Sequence, residues 1–119
     1  MSELLSTYEW NSGEYKRMPG TEDWAEVARL GDQGGYEWCD FNAFYSPSAR
    51  RYFWHGDAGC SCNSWSEDLG NAADFQNGDR AALLRAWEAF SKDYPYSIHV
   101  ADYTHGITEI KNFEEPANV

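Results

Sequence analysis

Residues 36–45 of this chain read YEWCDFNAFY, and after SPSA at 46–49 the sequence returns with RRYFWH at 50–55. In the first run, four residues on alternating positions share one face of an extended chain: Cys39, Phe41, Ala43 and Tyr45. A period of two indicates a β-strand, and a loop of about four to five residues is a common hairpin connection. The stretch therefore predicts an antiparallel hairpin, and the rest of the chain has to cover it.

A third strand is predicted just before this hairpin. Residues 22–30 (EDWAEVARL) fit a strand or a short helix, because their apolar residues have a loosely helical spacing. The turn chemistry of Asp32-Gln33-Gly34-Gly35 favours the strand, since glycine supplies the positive φ that tight turns need. This strand would complete a three-stranded meander over 23–55, and three strands with a packed face can be stable.

Helices are predicted in the last third of the chain. Leu83, Trp87, Phe90 and Tyr94 recur at helical spacing and form one apolar stripe on a helix over 79–93. Either Asn77 or Asp79 suits its N-cap, and Pro95 ends it.

A second helix is predicted over 97–113. Val100, Tyr103, Ile107 and Ile110 keep a helical period, although Gly106 among them costs a helix about 1 kcal/mol relative to Ala. A strand at 96–101 is the competing interpretation.

Strands followed by helices predict an α+β fold, in which the helices cover one face of a small antiparallel sheet. The length suits one domain over residues 1–119. Within it, 1–21 is expected to be a loosely ordered arm that Trp10 and Tyr15 tie down, and 114–119 is expected to be a tail.

The chain is acidic, with 9 Lys+Arg, 20 Asp+Glu and a formal net charge of -11. This balance argues against direct binding of nucleic acid or anionic membranes, because both partners require a cationic surface. The aromatic fraction of 17% indicates a folded domain, since disordered acidic chains are poor in aromatic residues. No segment approaches the ~18 apolar residues of a membrane span, and residues 1–10 do not resemble a signal peptide. The cytoplasm is therefore the expected compartment.

Three cysteines are present, and their odd number in a reducing compartment argues against a disulfide framework. The spacing of Cys60-Ser61-Cys62 also disfavours a bridge, because the ring would be very tight. Residues 57–64 (DAGCSCNS) are predicted to form a compact loop with both sulfurs directed inward.

Metal binding and nucleophilic catalysis are weaker interpretations of this loop. Zinc takes about four thiolate or imidazole ligands, and the candidates are Cys39, His55, Cys60 and Cys62, with His99 or His105 as other fourth ligands. Small residues in a turn, with Cys39 a buried thiol, explain the pattern more simply, so no metal or cofactor is expected. A nucleophilic set of His55, Asp57 and Cys60 would splay off one turn, so no catalytic residue is assigned and no enzyme is expected.

The segment YFWHGDAGCSC, residues 52–62, resembles a recurring segment in small uncharacterised proteins of bacteriophages that infect actinobacteria. In those proteins an aromatic strand runs into an Asp-x-Gly-Cys-Ser-Cys loop, which matches Asp57, Gly59, Cys60, Ser61 and Cys62 here. The resemblance covers roughly residues 36–70. It implies a phage origin and an α+β domain, and it implies no particular reaction.

These observations together predict an interaction protein rather than an enzyme. A phage protein of this kind would bind a host protein with a basic surface, such as a nucleic-acid-binding or defence protein, and modulate or inhibit it in the bacterial cytoplasm. Carboxylates would steer the encounter. The predicted binding residues are Asp57, Glu67, Asp68, Asp74 and Trp65. The alternatives are a small metal- or thiol-dependent enzyme or redox protein built around Cys60 and Cys62, and a virion accessory protein.

Overall fold

In the computed structural model, which describes residues 3–32 and 36–117, the meander predicted over 23–55 is the centre of an α+β fold. The elements are Ser6–Glu9 (β1), Glu14–Arg17 (β2), Ala25–Asp32 (β3), Glu37–Ser46 (β4), Arg51–Cys60 (β5), Gln76–Gly78 (β6), Arg80–Asp93 (α1) and Val100–Asn112 (α2), with short 3₁₀ helices at Glu3–Leu5 and Ala72–Asp74. Strands β1 and β2 pair with each other, and the other four form an antiparallel sheet in the order β3-β4-β5-β6. The predicted fold class is therefore confirmed, and the segment predicted as a strand or helix at 22–30 is a strand, with its bounds shifted to 25–32. The turn predicted at 32–35 lies largely outside the described residues.

The hairpin of β4 and β5 is longer than its sequence pattern suggested. Its register runs without a break from Ser46 paired with Arg51 to Glu37 paired with Cys60. Residues 57–60, predicted as part of a loop, therefore belong to β5. Gly56 lies within β5 and not in a turn. It allows Phe90 to pack closely on the strand, because a Cβ there would lie 2.7 Å from the Phe90 ring.

The sheet also has a strand that the sequence did not reveal, because residues 70–78 look like a loop. Strand β6 pairs its three residues with Tyr52, Phe53 and Trp54. The side chain of Gln76 strengthens this edge by accepting a hydrogen bond from Trp54 Nε1 at 2.9 Å.

The helices cover one face of the sheet as predicted. Helix α1 begins after Asp79, whose carboxylate accepts a hydrogen bond from the Ala82 N–H at 2.8 Å. Its predicted stripe is buried at Leu83, Trp87 and Phe90. Helix α2 is shorter than the predicted 97–113, and a strand at 96–101 is excluded because the chain turns before Val100 and then enters the helix.

The opposite face of the sheet is covered too, which the sequence did not predict. A second core forms there from Leu5, Met18, Trp24, Phe44, Trp65, Leu69 and Phe75. Most of these residues come from the N-terminal segment and from the long connection between β5 and β6. Residues 39–46 of β4 are consequently buried on both faces.

The N-terminal segment is an ordered hairpin, so the prediction of a loosely ordered arm is wrong for its described residues. Strands β1 and β2 pair in register, and the Met18 N–H donates to the Leu5 carbonyl at 2.7 Å. Leu5 and Met18 are wholly buried and tie the hairpin to the second core. Trp10 and Tyr15, which were expected to hold this segment down, are exposed.

The described part of the predicted tail, residues 114–117, has no regular structure, but Glu115 is held firmly. Its Oε2 accepts hydrogen bonds from the Tyr52 hydroxyl and from Arg80 Nη2, both at 2.7 Å. Arg80 also donates to the carbonyls of Ile110 and Lys111 at the end of α2. Hydrogen bonds from Tyr52 and Arg80 hold the pKa of Glu115 below its ordinary value of 4.5.

Replacement of Glu115 by Gln is expected to lower the free energy of unfolding by about 1 kcal/mol at neutral pH, a modest value because this carboxylate is partly exposed. A carboxyl whose pKa is lowered by folding contributes stability that is complete above its unfolded pKa and is lost as the pH falls through its folded pKa. The difference between wild type and Glu115→Gln should therefore shrink as the solution is acidified. Thermal unfolding at several pH values measures it.

Glu114→Gln is the matched control, because the Glu114 side chain is exposed and makes no polar contact within the described chain. An equal loss of stability in both variants would contradict the role of the Glu115 contacts, as would a difference that does not change with pH.

Candidate functional site

The five predicted binding residues differ in their exposure and in the contacts that they make. Trp65 is only 5% exposed, its Nε1 donates to the His55 carbonyl at 2.9 Å, and its ring contacts Phe75. It is part of the second core, so it cannot offer its ring to a partner.

Two of the predicted carboxylates serve local structure. Asp74 Oδ2 accepts hydrogen bonds from the N–H groups of Gly70 and Asn71, at 2.7 and 3.1 Å, as part of a capping box. Asp57 Oδ1 accepts from the Ala58 N–H at 2.8 Å, and its Oδ2 lies 4.0 Å from His55 Nε2.

Glu67 and Asp68 fit the prediction of an acidic surface best. Both are exposed, and their side chains make no hydrogen bond or ion pair with any described residue. They lie with Asp74 in the connection between β5 and β6, whereas Asp57 lies on β5 itself.

Cys60 and Cys62 are paired as a disulfide across Ser61, with their Cα atoms 5.4 Å apart. Two predictions are therefore wrong. The close spacing of the cysteines does not prevent a bridge, and both residues are exposed instead of directed inward. Cys60 is the last residue of β5 and Cys62 lies in the turn that follows; both are exposed. The N–H of Asn63 donates to the Cys60 carbonyl at 3.2 Å, so the turn brings the two cysteines together.

The backbone around Cys60 is fixed by neighbouring side chains. Its N–H donates to Asn63 Oδ1 at 2.9 Å, and its carbonyl accepts a hydrogen bond from Trp38 Nε1 at 2.8 Å. A Cβ at Gly59 would overlap the Asn63 side chain and displace the amide whose Oδ1 accepts the Cys60 hydrogen bond. Close approach, rather than an unusual backbone conformation, is thus the reason for this glycine.

The four candidate zinc ligands do not come together. Cys39 and Cys60 lie on the helix-facing side of the sheet, whereas His55 packs on the other side against Trp65 and Phe75. In residues 3–32 and 36–117, no three His, Cys, Asp or Glu side chains are placed to hold a metal ion. The same separation keeps His55 away from Cys60, so the Cys-His-Asp set is not assembled.

Several buried polar side chains lie on the face of the sheet that the second core covers. The sequence analysis did not predict them. Asp40 is buried and accepts hydrogen bonds from Arg29 Nε and Nη2, each at 3.3 Å. Asn42 is also buried and lies opposite His55 in the register of β4 and β5. The Asn42 amide atoms and His55 Nε2 have no hydrogen-bond partner among the described residues. Asn42 and Arg29 line a cavity of about 300 Å³ together with apolar residues that include Phe44.

The most prominent surface feature is a group of exposed aromatic rings on the N-terminal hairpin, residues 6–17, called here the aromatic hairpin. Trp10 is 88% exposed, Tyr15 74% and Tyr8 41%. The Tyr8 ring meets the edges of the other two, with centroids 4.8 Å from Trp10 and 5.2 Å from Tyr15. A salt bridge of 3.0 Å between Lys16 and Glu9 ties the two strands together.

A signal for this hairpin was present in the sequence. Asn11-Ser12-Gly13 is turn chemistry between two short runs of β-forming residues, STYE and EYKR. Gly13 adopts the positive φ of 71° that such a turn requires, and its N–H donates to the Glu9 carbonyl at 2.8 Å.

Comparison with known proteins gives no relative: no family model, no curated protein and no solved structure matches this chain. Among the described residues, neither helix has the length and apolar character needed to cross a membrane.

Proposed function

We propose that this chain is a phage-encoded interaction protein that binds a host protein through the aromatic hairpin and modulates or inhibits it. The phage origin rests on the resemblance of residues 52–62 to actinobacteriophage proteins. The observation that carries the binding proposal is the contact among Tyr8, Trp10 and Tyr15 on an exposed but anchored hairpin.

Exposed aromatic rings of this kind suit a binding surface. Trp and Tyr are enriched among the residues that contribute most to protein–protein affinity. The rings of the aromatic hairpin already contact one another, and Leu5 and Met18 fix its base. Little conformational entropy would therefore be lost when a partner covers them.

The acidic charge supports a partner with a basic surface. The aromatic hairpin holds two acidic and two basic residues, so the net charge of -11 comes from the rest of the chain. Such a field accelerates the encounter with a basic protein, whereas buried aromatic contacts mainly slow dissociation. Glu67 and Asp68 are the best candidates for the steering role because their carboxylates have no hydrogen-bond or ion-pair partner in the described part of the chain.

Trp10→Ala is expected to weaken partner binding by about 30-fold or more, the effect of losing a strong interface residue. The partner is first captured from a host lysate on the immobilised chain and identified by mass spectrometry. Association and dissociation rates are then measured with the purified partner. The loss should lie mainly in dissociation, because the removed ring contributes contact area rather than charge.

Tyr96→Ala is the matched control, since Tyr96 is fully exposed and makes no ring contact with another described residue. It should leave both rates unchanged. Reversing Glu67 and Asp68 to Lys should slow association and weaken its dependence on salt. Asp74 is left intact because its carboxylate caps a turn.

Unchanged binding by Trp10→Ala would overturn the hairpin as the interface. An association rate that does not fall with added salt would overturn the steering role of the charge. A purified chain that assembles with itself through the hairpin would instead favour the virion accessory function.

A further inference from the structure

We propose that Cys60 and Cys62 form a reversible dithiol–disulfide site that exchanges with the thiol of a cysteine-containing cationic peptide or protein. This activity is independent of the aromatic hairpin. It rests on the pairing of the two cysteines, on their exposure and on the cavity beside them.

The disulfide is accessible and is not required to hold the fold together. Its ring encloses one residue, Ser61, and closing so short a loop restrains the unfolded chain least. The pairing of β5 with β4 reaches Cys60 without help from the sulfurs, and both faces of the sheet have their own core. The site can therefore be reduced while the protein stays folded, and exposed disulfides are the ones that exchange.

The structure distinguishes the roles of the two sulfurs. Cys60 is held by backbone hydrogen bonds to Trp38 and Asn63, so it stays in place whether or not the bridge exists. Cys60 also lines a cavity of about 400 Å³, and Cys62 does not. We therefore expect a substrate thiol that enters this cavity to attack the sulfur of Cys60, with the sulfur of Cys62 as the leaving group.

The lining of the cavity indicates which thiol fits. Tyr94 is an aromatic residue of this lining, and Glu37 adds a side chain with a carboxylate. Together with the net charge of -11, this carboxylate favours a cysteine with basic neighbours over an anionic thiol. Cys39 lines the same cavity but is buried and outside the disulfide.

The disulfide is reduced in two successive exchange steps. A substrate thiolate attacks the Cys60 sulfur and forms a mixed disulfide, while the bond to Cys62 breaks and Cys62 leaves as a thiolate that takes a proton. A second substrate thiolate attacks the substrate sulfur of the mixed disulfide, and Cys60 leaves as a thiolate and is protonated. Two substrate thiols have then lost two electrons and two protons to form a disulfide, and the protein has gained both as two thiols.

The test exposes the full folded chain to glutathione buffers from oxidising to reducing, followed by acid quenching, maleimide labelling and mass spectrometry. We expect two labels, on Cys60 and Cys62, with no label on Cys39 and no change in circular dichroism. Oxidised glutathione should reverse the change. A pair that is reduced only when the protein unfolds would overturn the proposal, and so would a pair that stays reduced in every buffer.

Single variants test the assignment of the two sulfurs. With Cys62→Ser, oxidised glutathione should trap a mixed disulfide on Cys60 about tenfold faster than it traps Cys62 in Cys60→Ser, because Cys60 is the fixed and cavity-lining sulfur. Equal rates would overturn the assignment. Cys39→Ala is the control and should exchange like wild type.

Two cysteine peptides, one flanked by Arg and one by Glu, test the charge preference. The rates at which the two peptides reduce the disulfide are compared at equal concentrations of peptide thiolate. Faster reduction by the Arg peptide, and a smaller difference in Glu37→Gln, would support the proposed substrate class. Equal rates for the two peptides would overturn it.

Discussion

Replacement of Trp87 by Ala should lower the free energy of unfolding by about 3–5 kcal/mol, the largest single loss expected in this chain. Trp87 is completely buried where α1, α2 and the sheet meet. Its ring packs edge-on against Phe41 with centroids 5.5 Å apart, and its Nε1 donates to the Tyr103 carbonyl at 3.1 Å. The truncation would remove these contacts together and leave a cavity.

Denaturant unfolding measures this loss, and Trp10→Ala is the matched control. The same side chain is removed in both variants, but Trp10 is 88% exposed and outside both cores. Its loss should change the free energy of unfolding by no more than about 0.5 kcal/mol. Similar losses in the two variants would contradict the assignment of Trp87 to the main core.

The helix-facing half of the fold could be predicted because its signals are local. Alternation along β4 and the stripe of Leu83, Trp87 and Phe90 each lie within one element. The other half could not be, because its cover comes from residues distant in sequence. Asp40 and Asn42 have the polar character of a solvent-facing strand, yet Leu5, Met18 and other members of the second core cover that face.

The candidate sites illustrate the same limit. Trp65 and Trp10 both stand among polar residues, and nothing in their neighbours indicates that Trp65 is buried while Trp10 is exposed. The difference depends on which segments cover the second face of the sheet. The strand that ends at Cys60 was also missed, because β5 continues through residues that resemble a loop.

Gly106→Ala gives the second large effect, and the structure reverses the sign that helix propensity predicts. Alanine in the middle of α2 would be expected to stabilise the helix by about 1 kcal/mol. A Cβ at Gly106, however, would lie 2.7 Å from Trp87 Cε2 and closer still to Cζ2. Because the indole is enclosed by the core, the overlap must displace helix or ring, and the variant should lose about 1–3 kcal/mol.

Thr104→Ala is the matched control, since Thr104 lies one half-turn away on the exposed side of α2. It should stabilise the protein by a few tenths of a kcal/mol, as propensity alone requires. In a Trp87→Leu background the cost of Gly106→Ala should become small, because the clashing ring atoms are gone. The free energies of unfolding of wild type, the two single variants and the double variant give the coupling between residues 87 and 106. Stabilisation by Gly106→Ala in the wild-type background would mean that the indole moves aside at little cost. The close packing of Trp87 on α2 would then not be what keeps residue 106 a glycine.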